Sequence, residues 1–124
     1  DVVERRQDIL LIEGIGGIMV PLDEQRTVLD VMMALQLPLI LVAGSYLGTI
    51  SHTLTALDAL FRRDMKLLTI IVSETLGSTV PLDETVTAIA RFAEPVIALP
   101  RQQPQRPDER AGTLAAFDRI FGRS

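Results

Sequence analysis

The chain has 124 residues and a mass of 13.6 kDa, which is enough for one compact domain and too little to divide comfortably into two. Apolar residues make up 48% of it and the mean hydropathy is +0.31. These values are high for so small a chain, so we expect association with a partner. A net charge of −4 without a run of Lys or Arg argues against nucleic acid or anionic lipid as that partner.

The absence of cysteine excludes disulfides and thiolate metal sites and fits a cytoplasmic location. The longest apolar stretch, residues 31–44, contains Gln36 and Pro38 and is shorter than the roughly 20 residues of a membrane span. We therefore predict no transmembrane helix. The chain opens on Asp1 with DVVERRQD, which is typical of the end of a helix and not of a signal peptide. We expect that an upstream segment has been removed.

Short apolar runs alternate with amphipathic segments along the chain. The runs are nearly continuous and rich in leucine or β-branched residues, as parallel strands covered on both faces are. They lie at residues 9–12, 39–43, 67–72 and 96–99. We predict a strand at each.

The segments between the runs carry apolar residues at helical spacing, so each predicts a helix with one buried face. The three sets are Val28, Val31, Met32 and Leu35, then Ile50, Leu54, Leu57 and Phe61, then Val86, Ile89, Ala90 and Ala93. The third helix should begin at Pro81, with Asp83 and Glu84 in its first turn where the helix dipole favours negative charge.

The polar segment 101–112 contains two prolines and predicts a loop. It should lead into a last short helix that carries Leu114, Phe117 and Phe121. Strands that alternate with helices predict a single α/β domain over residues 1–124, with a parallel sheet and helices on both faces. Ligands of such sheets gather at the carboxyl ends of the strands.

The first candidate segment is IEGIGG, residues 12–17. Glu13 ends a predicted strand and could hold Mg²⁺, which prefers carboxylate oxygens, waters and substrate phosphates. Gly14, Gly16 and Gly17 allow a phosphate or an amine to approach the main chain closely. A tight turn beside a solvated glutamate is the alternative, and spacing alone does not decide between the two.

The second candidate is GSYLGTISHT, residues 44–53, where a strand exit runs into a helix. The exposed amides of a helix N-terminus form a site for a carboxylate or phosphate. Alternatively, Thr49 or Ser51 simply caps the helix. A histidine in the first turn is more often a packing or hydrogen-bonding residue, so His52 is given no catalytic role.

The third candidate is Ser73 with Glu74, at the end of the predicted strand 67–72. Polar groups at this position could read an adenine through hydrogen bonds. On these two residues alone, the opening of a solvent-exposed loop is the preferred interpretation.

Together, IEGIGGIMVPLDE, LPLILVAGSYLGTISHTLTALDAL and IIVSE resemble the dethiobiotin synthetase family from Glu13 to about Pro100. The combination of EGxGG, Val-Pro-Leu and GxxLGxIxHT is specific to that family. The resemblance implies part of a phosphate-loop nucleotidase (P-loop, Rossmann-like) fold and a homodimer. It also implies a ligase of biotin biosynthesis that forms dethiobiotin from 7,8-diaminononanoate, CO2 and ATP with Mg²⁺.

The resemblance also implies roles for individual residues. Glu13 matches the metal-binding glutamate. Gly14, Gly16 and Gly17 match residues that bind the nucleotide, and the diamine or carbamate end of the substrate lies against the main chain at Gly16. The amides of Gly48, Thr49, Ile50 and Ser51 match the site of the substrate's carboxylate tail, which reaches across the dimer interface. The residues matched to the nucleotide base are Ser73, Pro100, Arg101 and Gln102.

The sequence departs from the family in several ways. Tyr46 stands where some relatives carry lysine, Ser73 where many carry an asparagine that reads the base, and Thr85 where some carry tyrosine. No G-x-x-x-x-G-K-[ST] loop occurs in the 124 residues, and that loop cradles the transferred phosphates. We therefore expect the isolated chain to be inactive and the loop to lie upstream.

Two alternatives stay open on the sequence. One is an assembly or nucleotide-binding module without chemistry of its own, which the missing phosphate loop motivates. The other is a related phosphate-loop protein, such as a cobyrinate amidotransferase or a ParA-like partitioning ATPase. The GxxLGxIxHT motif is not expected in that second class.

Overall fold

A computed structural model describes residues 9–102 together with Ala115, Asp118 and Ile120, which are helical. The chain divides into two compact units, Asp1–Leu35 and Gln36–Ser124. The rest of the polar loop, as well as Leu114, Phe117 and Phe121, lies outside the described residues, whereas the three helical positions agree with the predicted last helix.

The first unit contains helix α1, Val28–Leu35, preceded by a tight reversal of the chain. Pro21 and Thr27 form an antiparallel bridge, and the Leu22 amide donates to the Arg26 carbonyl at 2.7 Å. Asp23 accepts hydrogen bonds from the amides of Gln25 and Arg26 and from the Arg26 side chain. These bonds, that to the Gln25 amide first, lower the pKa of Asp23 below its ordinary value of 3.8.

Helix α1 begins with a side chain that reaches back to the residue before the helix. The Asp30 carboxylate accepts from the Thr27 amide at 2.7 Å and from the Thr27 hydroxyl at 2.9 Å. A side chain at the third helical position that reaches back to the N-cap satisfies a donor that the helix cannot use. This cap fixes the start of α1 where its apolar periodicity begins.

The second unit is built on a three-stranded parallel sheet. Its strands are β1, Leu39–Gly44, β2, Leu67–Ser73, and β3, Val96–Leu99, in the order β1-β2-β3. Helix α2, Thr49–Phe61, connects β1 to β2, and helix α3, Leu82–Ala90, connects β2 to β3. The register pairs Gly44 with Ser73 and Ser73 with Leu99, so all three carboxyl ends meet at one edge. The predicted parallel α/β fold is confirmed.

The core of the second unit lies between the sheet and the two helices. Leu57 of α2, Ile70 and Val72 of β2, and Ile89 of α3 form one buried cluster. Partly buried residues surround it: Leu41, Leu54, Leu67, Leu82, Val86, Ala93 and Val96. On the other face of β2, Thr69 and Ile71 are also buried, whereas Val42 of β1, the partner of Ile71, is 63% exposed.

Helix α2 lies where it was predicted, but its buried face differs. Ile50 and Phe61 are 36% and 49% exposed. The buried residues are Leu57, which was predicted, and Thr49, Thr53 and Leu60, which were not. Threonine can enter the interior when its hydroxyl is hydrogen-bonded, and the Thr49 hydroxyl donates to the Gly44 carbonyl at 2.5 Å. The apolar pattern therefore placed the helix correctly and half of its face: Leu57 is in the core and Leu54 packs against it, whereas Ile50 and Phe61 are exposed.

The apolar run at residues 9–12 is not a strand in this structure, and the prediction of a strand there is wrong. Its side chains are exposed, with Leu11 at 64%. Strand structure depends on hydrogen bonds to a neighbouring strand, and none of the described residues pairs with this run. Hydropathy alone predicted a strand for which the described part of the chain supplies no partner.

Helix α3 confirms its predicted start. Pro81 is the N-cap, with Asp83 and Glu84 in the first turn. The Thr85 hydroxyl donates to the Pro81 carbonyl at 2.9 Å. Over the described part of the chain, no helix is long and apolar enough to cross a membrane.

Candidate functional site

The glycine-rich segment after Glu13 forms a close turn within the first unit. Gly16 has φ +85, and a Cβ added there would lie 2.8 Å from a methyl group of Val20. A Cβ on Gly14 would lie 3.0 Å from a methyl group of Val28. The turn itself therefore requires glycine at position 16, whether or not a ligand approaches it, and leaves little room for a side chain at position 14.

Glu13 is exposed in this turn. Among the described residues, no group of three or more His, Asp or Glu side chains converges on a point that could hold a metal ion. A single carboxylate still fits Mg²⁺, because this ion is commonly held by one or two carboxylates together with waters and substrate phosphates. The role of Glu13 as a metal ligand stays a prediction.

The carboxyl ends of β1 and β2 are joined by a buried serine. The Ser45 amide donates to the Ser73 carbonyl at 3.1 Å, and the fully buried Ser45 hydroxyl accepts from the Thr75 amide at 3.0 Å. A Cβ on Gly44 would lie 2.7 Å from the Thr75 hydroxyl. Nothing in the apolar pattern indicated this junction. It holds the residues that follow β1 beside those that follow β2 at the edge of the sheet.

Helix α2 begins at this edge without a side-chain cap. Gly48 is its N-cap, in the left-handed conformation at φ 93, which glycine adopts without strain. The Thr49 hydroxyl is turned inward to the Gly44 carbonyl, so Thr49 does not cap the helix, and neither does Ser51. The amides of Ile50 and Ser51 have no acceptor among the described residues. The alternative in which Thr49 or Ser51 caps the helix is therefore wrong.

Residues of this helix start, Ile50 and Ser51 among them, line a cavity of about 830 Å³ within the second unit. Most of its wall is apolar, and Asp58 is its one ionisable carboxyl group. Its lining residues are Tyr46, Leu47, Gly48, Thr49, Ile50, Ser51, Leu54, Thr55, Asp58 and Val80. Apolar walls with donors at one end suit an extended apolar molecule that ends in an anion.

Tyr46 and His52 form a pair beside the same helix start. The Tyr46 hydroxyl lies 3.1 Å from His52 Nδ1, and the ring centroids are 5.8 Å apart. This chain therefore places a phenol hydrogen-bonded to an imidazole at the start of α2.

The residues predicted to read a base come together at the ends of β2 and β3. Ser73 is paired with Leu99, and the Glu74 amide donates to the Leu99 carbonyl at 2.9 Å. The Arg101 amide donates to the Glu74 carboxylate at 2.7 Å. Ser73 and the segment from Pro100 to Gln102 therefore share one edge, although their role in binding a base is untested.

The structure thus brings together the candidates of the second unit at the carboxyl edge of its sheet. Glu13 and the glycines after it belong to the first unit. Sequence analysis considered Glu74 only together with Ser73, as a polar group that could read an adenine, and did not predict the bond that its carboxylate accepts from the Arg101 amide. This bond spans 27 positions, and no local pattern reports a contact of that range.

Comparison with known proteins agrees with the motifs. A family profile described as an AAA domain matches residues 2–104. The relative from Caulobacter sp. strain K31, named ATP-dependent dethiobiotin synthetase BioD, is 47% identical over 100 residues, which are 79% of this chain and 43% of the relative.

Two further relatives carry the same name. The one from Methylobacterium nodulans is 49% identical over 68% of this chain and 37% of its own length. The one from Lysinibacillus sphaericus strain C3-41 is 37% identical over 97% of this chain and 53% of its own length. The chain thus spans about half or less of the curated relatives it matches. The resemblance to dethiobiotin synthetases is confirmed, and the chain belongs to the AAA domain family.

Proposed function

We propose that this chain forms part of an ATP-dependent dethiobiotin synthetase. In the proposed reaction, one amine of 7,8-diaminononanoate takes up CO2 to give a carbamate, and ATP phosphorylates a carbamate oxygen with release of ADP. The second amine attacks the carbamate carbon, phosphate leaves and the ureido ring closes. The observation that carries the proposal is the start of α2, which has no side-chain cap and whose residues line a mostly apolar cavity.

The substrate explains why both features are useful. 7,8-Diaminononanoate carries an aliphatic chain that ends in a carboxylate, and its two amines lie at the other end. The amides of Ile50 and Ser51 would bind the carboxylate, where the positive end of the helix dipole adds to the hydrogen bonds. The apolar wall, which includes Ile50 and Leu54, would cover the aliphatic chain. Binding at this distance from the amines orients them for the reaction.

Glu13 would hold Mg²⁺ against the phosphates of ATP, and this ion would supply charge neutralisation as the phosphoryl group is transferred. Ser73 and the segment from Pro100 to Gln102 would bind the base. The sequence contains no phosphate loop, so we assign the cradle of the phosphates to a part of the enzyme other than this chain. The contribution of the chain is then binding and positioning.

A homodimer with the substrate tail at its interface is part of the same proposal. Leu47 is 90% exposed and lines the cavity, and the cost of exposing so large an apolar side chain favours burial against a second copy. A biosynthetic enzyme that uses ATP also leads us to propose a cytoplasmic location.

The test is dethiobiotin formation by a chimeric protein in which this chain replaces the matching region of the Caulobacter sp. relative. With diaminononanoate, bicarbonate, ATP and Mg²⁺, we expect the chimera to form dethiobiotin and the chain alone to form none. Glu13→Ala should lower the activity of the chimera roughly tenfold or more, whereas Glu24→Ala, at another exposed glutamate of the first unit, should not. A well-folded chimera that binds ATP but forms no dethiobiotin would contradict the proposal.

A further inference from the structure

Hydrogen bonds between β2 and β3 continue past the last paired residues, Ser73 and Leu99. The Glu74 amide donates to the Leu99 carbonyl at 2.9 Å. The next bond comes from the Arg101 amide, which donates to the Glu74 side-chain oxygen Oε2 at 2.7 Å. The carboxylate of one residue thus contributes to the junction of two strands.

The pattern of a parallel ladder explains the position of this carboxylate. The amide of a residue in one strand donates to the carbonyl of the residue that precedes its partner in the other strand. Its carbonyl accepts from the amide of the residue that follows that partner. Glu74 stands opposite Pro100, so the regular acceptor for the Arg101 amide would be the Glu74 main-chain carbonyl. The side-chain carboxylate takes the place of that carbonyl, and a charged acceptor forms a shorter and stronger bond than a neutral one.

Pro100 fits this arrangement because the main-chain groups of the opposite residue point away from β2. Proline has no N–H, but an N–H at this position would point away from β2, so no hydrogen bond of the β2–β3 ladder is lost. The ring also fixes φ of Pro100, so the segment is held on both sides of a stiff residue. Glu74 thereby anchors the chain immediately beyond β3.

We propose that Glu74 is a positioning residue for the base of the nucleotide. The inference rests on the proposed function, which assigns Ser73 and the segment from Pro100 to Gln102 to that base. The Ser73 side chain offers a single hydroxyl, so recognition of a base would depend largely on the main-chain groups of the anchored segment. Glu74 sets where those groups lie without itself taking part in phosphoryl transfer.

Two substitutions separate the acceptor from the charge. Glu74→Ala removes the acceptor, whereas Glu74→Gln keeps an oxygen that can accept from the Arg101 amide. In the chimeric enzyme, we expect Glu74→Ala to weaken binding of a non-hydrolysable ATP analogue about three- to tenfold by calorimetry and to raise KM for ATP similarly. We expect kcat to stay within about twofold. Glu74→Gln should stay within about twofold of the parent in all three measurements, and so should Glu84→Ala, an exposed glutamate of α3.

Amide hydrogen exchange in the chain itself supplies a readout that does not depend on catalysis. Exchange at Arg101 should accelerate in Glu74→Ala and remain slow in Glu74→Gln. Unchanged nucleotide affinity in Glu74→Ala, unchanged exchange at Arg101, or an equal loss in both Glu74 variants would each overturn the inference. So would a folded chimera that binds no nucleotide. If nucleotide binding changes as expected but no dethiobiotin forms, the proposed reaction fails and the positioning role stands.

Discussion

At the scale of single residues, close contacts explain more of the glycines than ligands do. Gly44 ends β1 beside Thr75 and Tyr46, and an added Cβ would lie 2.7 Å and 2.9 Å from their nearest atoms. Both distances are shorter than real Cβ contacts allow, and the Thr75 amide is itself bonded to the buried Ser45 hydroxyl. Gly44 is therefore set by packing at the edge of the sheet.

This contact predicts a difference between two glycine substitutions. We expect Gly44→Ala to lower the free energy of unfolding by about 1–3 kcal/mol, because Thr75 and Tyr46 must move. Gly17→Ala is the matched control, since a Cβ there meets nothing within 4 Å, and we expect a change within about 0.5 kcal/mol. Urea unfolding of the chain measures both values. Equal stability of the two variants would show that the edge rearranges freely.

At the scale of elements, the three strands and two helices of the second unit could be predicted because their patterns are local. Continuous apolar runs gave β1, β2 and β3, and helical spacing gave α2 and α3. The run at residues 9–12 failed because pairing depends on another segment. The face of α2 was only partly predicted, because hydropathy does not register the bond between the Thr49 hydroxyl and the Gly44 carbonyl that lets Thr49 be buried.

The candidate site likewise has one part that a local sequence pattern predicted and one part that depends on contacts between distant segments. A glycine-containing strand exit before an amphipathic helix was enough to predict exposed amides at a helix N-terminus within residues 44–53. The resemblance narrowed the site to residues 48–51, although the Thr49 amide donates to the Tyr46 carbonyl. The link between Glu74 and Arg101 joins residues far apart in sequence, so only the register of β2 and β3 reveals it.

The start of α2 predicts that one amide can be removed separately. Ile50→Pro deletes an N–H that has no acceptor among the described residues, at a position in the first turn where helices tolerate proline. In the chimeric enzyme, we expect KM for diaminononanoate to rise about tenfold, since a hydrogen bond to a charged group contributes roughly 1.5–3 kcal/mol.

Asp83→Pro is the matched control, because Asp83 holds the same second position of α3. It should leave KM for diaminononanoate within about twofold of the parent value, while it destabilises its helix about as much as Ile50→Pro destabilises α2. If the two prolines raise KM equally, the effect arises from folding and the α2 amide does not bind the carboxylate.

At the scale of the whole molecule, exposed apolar side chains predict self-association. Leu47→Asp places a charge on the wall of the cavity, and we expect it to weaken the proposed dimer at least about tenfold because a charge cannot be buried unpaired at low cost. Sedimentation velocity over a range of concentrations measures this. Leu76, 71% exposed and absent from the cavity lining, gives the control Leu76→Asp, which should associate as the parent does. A parent chain that stays monomeric would contradict the proposed dimer.

The uncapped start of α2 also couples ligand occupancy to the order of the helix. Gly48 has no side chain that could hold the first turn against fraying. An anion at the Ile50 and Ser51 amides would therefore act as the missing cap. Any molecule that binds the folded helix and not the unfolded chain raises the unfolding free energy in proportion to the logarithm of its concentration. The substrate tail would then serve as a structural part of the fold, and the first turn of α2 would be most ordered when the enzyme is ready to react.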